Sequence, residues 1–165
     1  MMISYRTDKT ENFSEEERKT FLELLIRQGK VSDPTLQKIK SCPYLCMATV
    51  DSITIGIGAL KRISMTQFDY AGVPDLKGKF NLELGYIYVM DNQNGKSFRG
   101  MGIGKDITSS LLIVGENKNV FATTELNEKN PMLHILRFFG FVSVGKPYIG
   151  HNTHDIITLM ILIRE

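Results

Sequence analysis

Apolar residues recur along the chain with two different periods, and these periods separate predicted helices from predicted strands. A period of three to four residues over 13–30, 102–116 and 130–139 predicts three amphipathic helices. Runs rich in β-branched and aromatic residues predict strands. The predicted strands cover residues 3–7, 44–50, 53–63, 80–89, 119–125, 141–146 and 155–163. Helices and strands alternate, which predicts one mixed α/β domain over residues 1–165.

Capping signals support the predicted helix boundaries. Ser14 and Glu17 form a capping-box pattern at the start of the first helix, and Gly29 is suited to its end. Asp33 followed by Pro34 predicts the cap and first turn of a short second helix that reaches residue 40. For the last helix, we expect Asn130 as the cap, Pro131 at the first position and Gly140 beyond the end.

The connections predict how the strands pair. Asp51-Ser52 separates two strands so closely that we expect an antiparallel hairpin, whereas the strand–helix–strand order in the middle of the chain implies parallel pairing. Residues 64–79 read as an irregular loop. The sequence therefore predicts a mixed sheet with helices on its faces.

Composition excludes several classes of protein. With a net charge of +2 from 20 basic and 18 acidic residues, and with no basic stripe, we expect no nucleic-acid partner. No apolar run is long enough to span a membrane, and the N-terminus lacks an apolar signal core, so we expect a cytoplasmic protein. Cys42 and Cys46 are expected to be buried reduced thiols, since no second pair completes a zinc site.

The stretch SFRGMGIGKDI places Gly100, Gly102 and Gly104 directly before a predicted helix. A dinucleotide-binding fingerprint does not fit, because Lys105 occupies its third glycine position. A Walker A motif does not fit either in the two possible registers. Unpaired amides in the first turn of a helix can still bind an anion, and glycines let that anion approach the backbone.

Residues 99–104 match the pattern R/Q-x-x-G-x-G/A after a strand and at the start of a helix, which resembles the pyrophosphate loop of the GNAT N-acetyltransferases. The resemblance covers roughly residues 45–165, through LELGYIYV, LNEKNPMLHILRFFGF and DIITLMILI. It implies a mostly antiparallel sheet of about seven strands with about four helices, splayed at the fourth and fifth strands. It also implies acetyl-CoA as cosubstrate. The expected cofactor-binding residues are Tyr88, Val89, Arg99, Gly100, Met101, Gly102, Ile103, Gly104, Lys105 and Asn130.

The chain departs from the family pattern at three places. The loop after Val89 is longer than usual and lacks a common proline. The asparagine that often contacts the cofactor aligns with Lys129, and Asn130 lies one position away. Leu136 stands where many members carry a tyrosine as general acid, so the acid is unassigned.

Acetyl transfer to an amine needs a base, a polarised carbonyl and a proton for the leaving thiolate. Glu83, six residues before Val89, is the candidate base, because some family members place a glutamate there and an apolar strand would raise its pKa. The family resemblance implies a polarising amide near Val89. Tyr86 and Tyr88 are alternatives to Glu83, and Tyr148 is a candidate acid or substrate contact in a predicted loop.

The function implied is transfer of an acetyl group from acetyl-CoA to a primary amine of a small molecule or peptide, by direct attack. A non-catalytic acyl-CoA-binding module and an acyltransferase for hydroxyls or longer acyl chains stay open as alternatives. We expect no metal: His151 and His154 are predicted to be solvated loop residues and His134 a surface residue. A monomer or a homodimer is expected.

Overall fold

Seven strands form one sheet in the part of the chain that the computed structural model describes, residues 1–62, 64–91, 95, 97–151 and 153–165. The strands are β1 (Ser4–Lys9), β2 (Tyr44–Val50), β3 (Ile53–Lys61), β4 (Leu82–Val89), β5 (Val120–Glu125), β6 (Val142–Ile149) and β7 (Ile156–Leu162). Their spatial order is β1-β2-β3-β4-β5-β7-β6, and all neighbours pair antiparallel except β4 and β5. The predicted mixed, mostly antiparallel sheet is confirmed.

Helices cover the faces of this sheet. They are α1 (Glu15–Gln28), α2 (Leu36–Lys40), α3 (Thr66–Tyr70), α4 (Ile103–Val114) and α5 (Pro131–Phe138), with 3₁₀ helices at Thr10–Asn12 and Pro74–Lys79. The capping box of Ser14 and Glu17 is present, and Gly29 ends α1 in the left-handed region. The Asn130 side chain accepts from the Met132 amide and so caps α5. These local predictions are confirmed because each depends on residues within one helical turn.

Two local predictions are wrong. Thr35, rather than Asp33, caps α2, because its hydroxyl accepts from the Lys38 amide and the helix begins only at Leu36. The segment 64–79, predicted as irregular, contains α3 and the second 3₁₀ helix. Helix α3 is ordered by a tertiary contact, since Phe68 is fully buried in an aromatic cluster, and this short helix makes five where about four were expected.

Strand β6 continues three residues beyond its predicted end at 146 and includes Tyr148, which was predicted to lie in a loop. Pro147 lies in this extension, and proline lacks an amide donor. Proline is tolerated on edge strands, and β6 is the last strand of the sheet. The register of β6 on β7 also shifts between Val144 and Tyr148, so the pairing resumes after an irregularity.

Two buried clusters lie on the sheet. The larger contains residues of α1, α4, α5 and β2–β5, and the smaller centres on Phe68, Phe80 and Phe121. Phe68 contacts both other rings, with centroid distances of 5.4 Å to Phe80 and 4.8 Å to Phe121. Through the smaller cluster, α3 and the segment of the second 3₁₀ helix pack against β5.

Both cysteines are buried free thiols, as predicted. Burial raises the pKa of Cys42 to about 12 and that of Cys46 to about 11, so both stay protonated near neutral pH. Among the described residues, no helix combines the length and apolarity needed to cross a membrane.

Gly145 fixes β6 against the segment after α3, which gives a stability prediction. Its φ is +69°, and a Cβ added there would overlap the Ala71 carbonyl oxygen, which accepts from the Lys146 amide at 2.9 Å. We expect Gly145→Ala to lower the free energy of unfolding by about 2 kcal/mol or more. Urea denaturation measures it.

Gly78→Ala is the matched control, because a Cβ at Gly78 meets no atom within 4 Å and its φ lies outside the left-handed region. We expect a change within about 0.5 kcal/mol. Equal losses in the two variants would contradict the role given to Gly145.

Candidate active site

The edge of β4 that faces β5 opens after two residue pairs. The parallel pairing consists of Leu82 with Val120 and Glu83 with Phe121. Beyond Glu83 the two strands separate, which is the splay that the family resemblance implied. A gap between neighbouring strands leaves backbone groups without sheet partners, and such groups are available to a ligand.

A bulge in β4 accompanies this separation. Ile57 pairs with Tyr88, and Ala59 pairs with Gly85. Two residues of β4, Tyr86 and Ile87, therefore lie opposite the one residue of β3 that separates Ile57 from Ala59. Tyr86 has φ +58°, an uncommon value for a residue other than glycine. A bulge bends its strand and increases its twist, which carries β4 away from β5.

Backbone groups of β4 face the gap and are partly satisfied by side chains. Gln28 Nε2, at the end of α1, donates to the Ile87 carbonyl at 2.9 Å, and Arg99 Nε donates to the Val89 carbonyl at 3.3 Å. The Met90 amide donates to Ile55 of β3 at 2.8 Å. Since hydrogen-bonding direction alternates along a strand, the Val89 amide points to the opposite side, towards the gap.

A cleft of about 600 Å³ occupies the space between β4 and β5. Three of the residues singled out from the sequence, Glu83, Tyr148 and Asn130, line it together, and so does Tyr86. The glycine-rich loop is not part of its lining. The structure therefore divides the predicted site into an inner cleft with the candidate catalytic groups and an outer loop.

Glu83 lies at the inner end of the cleft and is 6% exposed. Burial is the main influence on its carboxyl group and raises its pKa above the ordinary value. Two neighbours act in the opposite direction: the Lys61 ammonium, whose Nζ is 3.6 Å from Oε2, and the Ser64 amide, which donates to the carboxylate. A buried glutamate with a raised pKa can take up a proton near neutral pH.

Tyr148 reaches the cleft from β6. Its hydroxyl donates to Gln67 Oε1 of α3, and its ring lies 5.6 Å from that of Tyr70. Burial raises the pKa of Tyr148 above its ordinary value, so the phenol keeps its proton. Burial likewise raises the pKa of Tyr86 to about 12. Both phenols can donate a hydrogen bond near neutral pH.

Asn130 joins the start of α5 to the end of β5 by hydrogen bonds. Its Nδ2 donates to Thr124 Oγ1 and to the Glu125 carbonyl, both at 2.8 Å, while its Oδ1 accepts from the Met132 amide. Both amide hydrogens are thus used within the protein. Its contact with the cofactor stays a prediction. A cofactor atom that accepted from Nδ2 would share a hydrogen that already bonds to Thr124 or Glu125.

The outer loop has the backbone shape expected of an anion site. Gly100 and Gly102 have φ +78° and +80°, and a Cβ at either would meet no atom within 4 Å. Gly102 is the cap of α4 and makes no side-chain cap hydrogen bond, and the first-turn amides have no acceptor within the helix. A Cβ at Gly104 would lie 3.4 Å from Ile135 of α5, an ordinary van der Waals contact, so packing does not by itself require glycine there.

Charged side chains border this loop. Arg99 lies with its guanidinium carbon 5.8 Å from the Tyr88 ring centroid and its Nε 3.9 Å from Asp91 Oδ1. Lys105 Nζ lies 3.4 Å from the Phe138 ring centroid. Met101 is exposed and Ile103 is buried under the helix start, so of these two only Met101 has a side chain that a ligand can reach.

Of the three histidines, His151 borders the cleft and the other two do not. His151 is exposed in the turn after β6, as predicted, and it also lines the cleft, with its ring 4.9 Å from that of Tyr70. His154 is exposed, and exposed His134 hydrogen-bonds to the Glu128 carbonyl. Within the described ranges no three His, Cys, Asp or Glu side chains converge as metal ligands would.

Three cleft residues, Lys61, Gln67 and Gln28, were missed by the sequence analysis. Lys61 is the register partner of Glu83, but residues 62–81 separate the two strands, so no turn signal in the sequence fixes that register. Gln67 lies in the segment predicted as a loop. Gln28 ends an ordinary amphipathic helix, and no sequence signal distinguishes it.

Solved structures with this architecture exist, whereas no family model matches the sequence and no curated protein is similar to it at a significant level. ElaA of Escherichia coli is 13% identical, with a TM-score of 0.69 over 99% of this chain and 100% of that one. NAA60 of Arabidopsis thaliana, solved with a bisubstrate analogue, is 12% identical, with a TM-score of 0.68 over 98% and 97% of the two chains.

A GNAT-family acetyltransferase of Elizabethkingia anophelis, solved with acetyl-CoA bound, is 14% identical, with a TM-score of 0.60 over 99% of this chain and 98% of that one. At such low identity these likenesses establish the fold. The chain has the fold of the GNAT acetyltransferases, as the glycine loop and the order of elements predicted.

The raised pKa of Glu83 predicts a pH dependence of stability. An acid with a raised pKa in the folded state contributes its full stability below its ordinary pKa of 4.5, and this contribution is lost as pH rises through the folded value. Glutamine does not titrate. We therefore expect Glu83→Gln to gain stability relative to the wild type from about pH 5 upward, until Glu83 is ionised in the folded state as well.

Urea unfolding of both proteins across this range measures the difference. A stability difference that does not change with pH would contradict the raised pKa.

Proposed function

We propose that this chain, which has the GNAT fold, transfers an acetyl group from acetyl-CoA to a primary amine of a small molecule or peptide. The observation that carries the proposal is the gap between β4 and β5, with the glycine loop at its outer end and buried Glu83 at its inner end. The opening thus has a candidate anion site at one end and a candidate base at the other. Backbone amides without strand partners lie between them.

The loop fits the pyrophosphate of coenzyme A. The first-turn amides of α4 carry partial positive charge, and Gly100 and Gly102 leave open space above the backbone. Arg99 and Lys105 are exposed cations next to that space. The Val89 amide points away from β3, and this direction supports the proposal that it donates to the thioester carbonyl. Acetyl-CoA supplies the activated acetyl group.

The inner cleft fits the acceptor. An alkyl amine with a pKa near 10.4 is almost wholly protonated at neutral pH, so a base must remove a proton before or during attack. Glu83 is buried at the inner end of the cleft, and its raised pKa makes it a better proton acceptor than an exposed glutamate. Cleft residues Gln67, Tyr148 and His151 surround the space in which an acceptor would lie.

The leaving thiolate needs a proton donor, and Leu136 is fully buried where many family members carry a tyrosine. The Tyr148 phenol keeps its proton and donates a hydrogen bond to Gln67. It would act as the acid only after exchanging that hydrogen bond for one to the leaving thiolate. A non-catalytic acyl-CoA-binding module is the second candidate. The ion pair that already engages Glu83 favours it, because a carboxylate paired with lysine is a weaker base.

Binding of acetyl-CoA tests the outer loop. A ligand that binds only the folded state raises the melting temperature by mass action, so we expect a thermal shift at saturating acetyl-CoA. We further expect Gly102→Ala to weaken CoA binding by about tenfold or more, about 1.4 kcal/mol, because a methyl group would occupy the space of the phosphate. Isothermal titration calorimetry measures it.

Gly72→Ala is the matched control. Gly72 has φ +74° and lies outside the cleft and the loop. Alanine at Gly72 costs about 1–2 kcal/mol of backbone strain, as it does at Gly102, but does not touch the candidate anion site. If both variants are destabilised alike and both bind CoA normally, the loop is only a connector.

Thiol release from acetyl-CoA with a panel of amines tests catalysis. With an accepted amine, we expect Glu83→Gln to lower the turnover number by about 10²-fold or more and to flatten the acid limb of the pH–rate profile, while CoA affinity stays unchanged. The mass of the product distinguishes acetylation of an amine from that of a hydroxyl.

CoA binding without thiol release for any amine would favour the non-catalytic candidate. A small fall in turnover with an unchanged acid limb would instead show that another group, such as Tyr86, or solvent takes the proton.

A further inference from the structure

Lys61 is positioned over the candidate base by the sheet itself. It is the last residue of β3 and the register partner of Glu83 on β4. Its Nζ lies 3.6 Å from Glu83 Oε2 and 4.3 Å from the centroid of the Tyr86 ring. The ammonium therefore contacts a carboxylate and the face of an aromatic ring at once, a position that strand register and the β4 bulge define together.

The path of the Lys61 side chain crosses Gly85. A Cβ added to Gly85 would lie 2.8 Å from Lys61 Cδ, closer than real contacts allow, and 3.6 Å from its Nζ. Gly85 is not among the residues with positive φ, so its backbone conformation is open to other residues. The absence of a side chain at this position is thus explained by the room that Lys61 needs, which is independent of the ion pair.

Glu83 has other polar neighbours, but they carry no positive charge. The Ser64 amide donates to it, while Cys42, Tyr86 and Tyr148 are neutral groups whose own pKa values are raised by burial and by the Glu83 charge. Among the described residues, Lys61 is the cation that faces Glu83. In the part of the chain that the structure describes, no other cation balances the charge of this buried carboxylate.

We propose that Lys61 is a positioning residue of the acceptor site, whose ammonium favours the carboxylate form of Glu83 against the effect of burial and fixes its orientation at the inner end of the cleft. This inference rests on the proposed function for its catalytic meaning.

The test is a carbon-13 NMR titration of the Glu83 carboxyl group, assigned with the Glu83→Gln protein, because it reads the charge state without requiring activity. In Lys61→Met we expect the titration midpoint to rise by about one pH unit or more, since an opposite charge at this distance favours the ionised form. Gly85→Ala should raise it too, because the added methyl displaces the lysine and leaves its charge intact.

Lys77→Met is the control. Lys77 also pairs with a carboxylate, Asp69 at 2.7 Å, but lies outside the cleft lining. We expect it to leave the Glu83 midpoint unchanged. If Lys61→Met does not fold, Lys61→Gln keeps the polar end and much of the stem and serves for the same comparison.

With an accepted amine, the acid limb of kcat/KM should move upward in Lys61→Met and Gly85→Ala by the same interval as the NMR midpoint, with activity recovering at higher pH. An unmoved Glu83 midpoint in folded Lys61 and Gly85 variants would overturn the inference, whatever the activity. A shifted midpoint in a protein that acetylates no amine would uphold the pair and reject the proposed function.

Discussion

Beyond Glu83 and Phe121, β4 and β5 share no strand pairing, and the backbone groups along that opening need other partners. Buried backbone donors and acceptors are costly when unpaired, so the opening must be satisfied by side chains, solvent or a ligand. Gln28 and Arg99 each supply a donor to one carbonyl of β4. The remaining groups face a cleft, and this is why a gap in a sheet becomes a site.

The sheet tolerates the opening because the core joins its two sides. The larger buried cluster includes Leu84 of β4 as well as Val120 and Ala122 of β5, and the smaller cluster around Phe68 and Phe121 joins α3 to β5 and β7. Strand β4 bends at Tyr86, where its register on β3 shifts by one residue, and its pairing with β3 continues on both sides of the bend. The bulge thus separates the strands locally and leaves the pairing of the rest of the sheet intact.

The electrostatics of the cleft follow from the same geometry. Glu83 belongs to the last residue pair before the strands separate, so it is buried by the sheet and yet borders the opening. Burial favours the neutral acid, whereas Lys61 across the β3–β4 ladder favours the carboxylate. These opposing influences make proton affinity at this position sensitive to small displacements of a single lysine.

The sequence by itself determined the features that depend on neighbours within a few residues. The α1 capping box, the α5 cap, the order of the strands along the chain and the glycines before α4 were all legible, because capping, alternation and glycine conformation are local. The candidate residues of the anion loop were chosen from such a local pattern, and Glu83 from its place in an apolar strand together with the family resemblance; their roles stay predictions. The pattern around Arg99 supplied the fold through its resemblance to a known family.

Only the tertiary structure decided what depends on contacts between distant segments. Helix α3 forms because Phe68 has an aromatic cluster to enter, and β6 extends past Pro147 because it is an edge strand. The partnership of Lys61 with Glu83, and of Tyr148 with Gln67 across 81 residues, exists only once the strands are in register. Strand pairing and side-chain burial are long-range properties, and no local pattern encodes them.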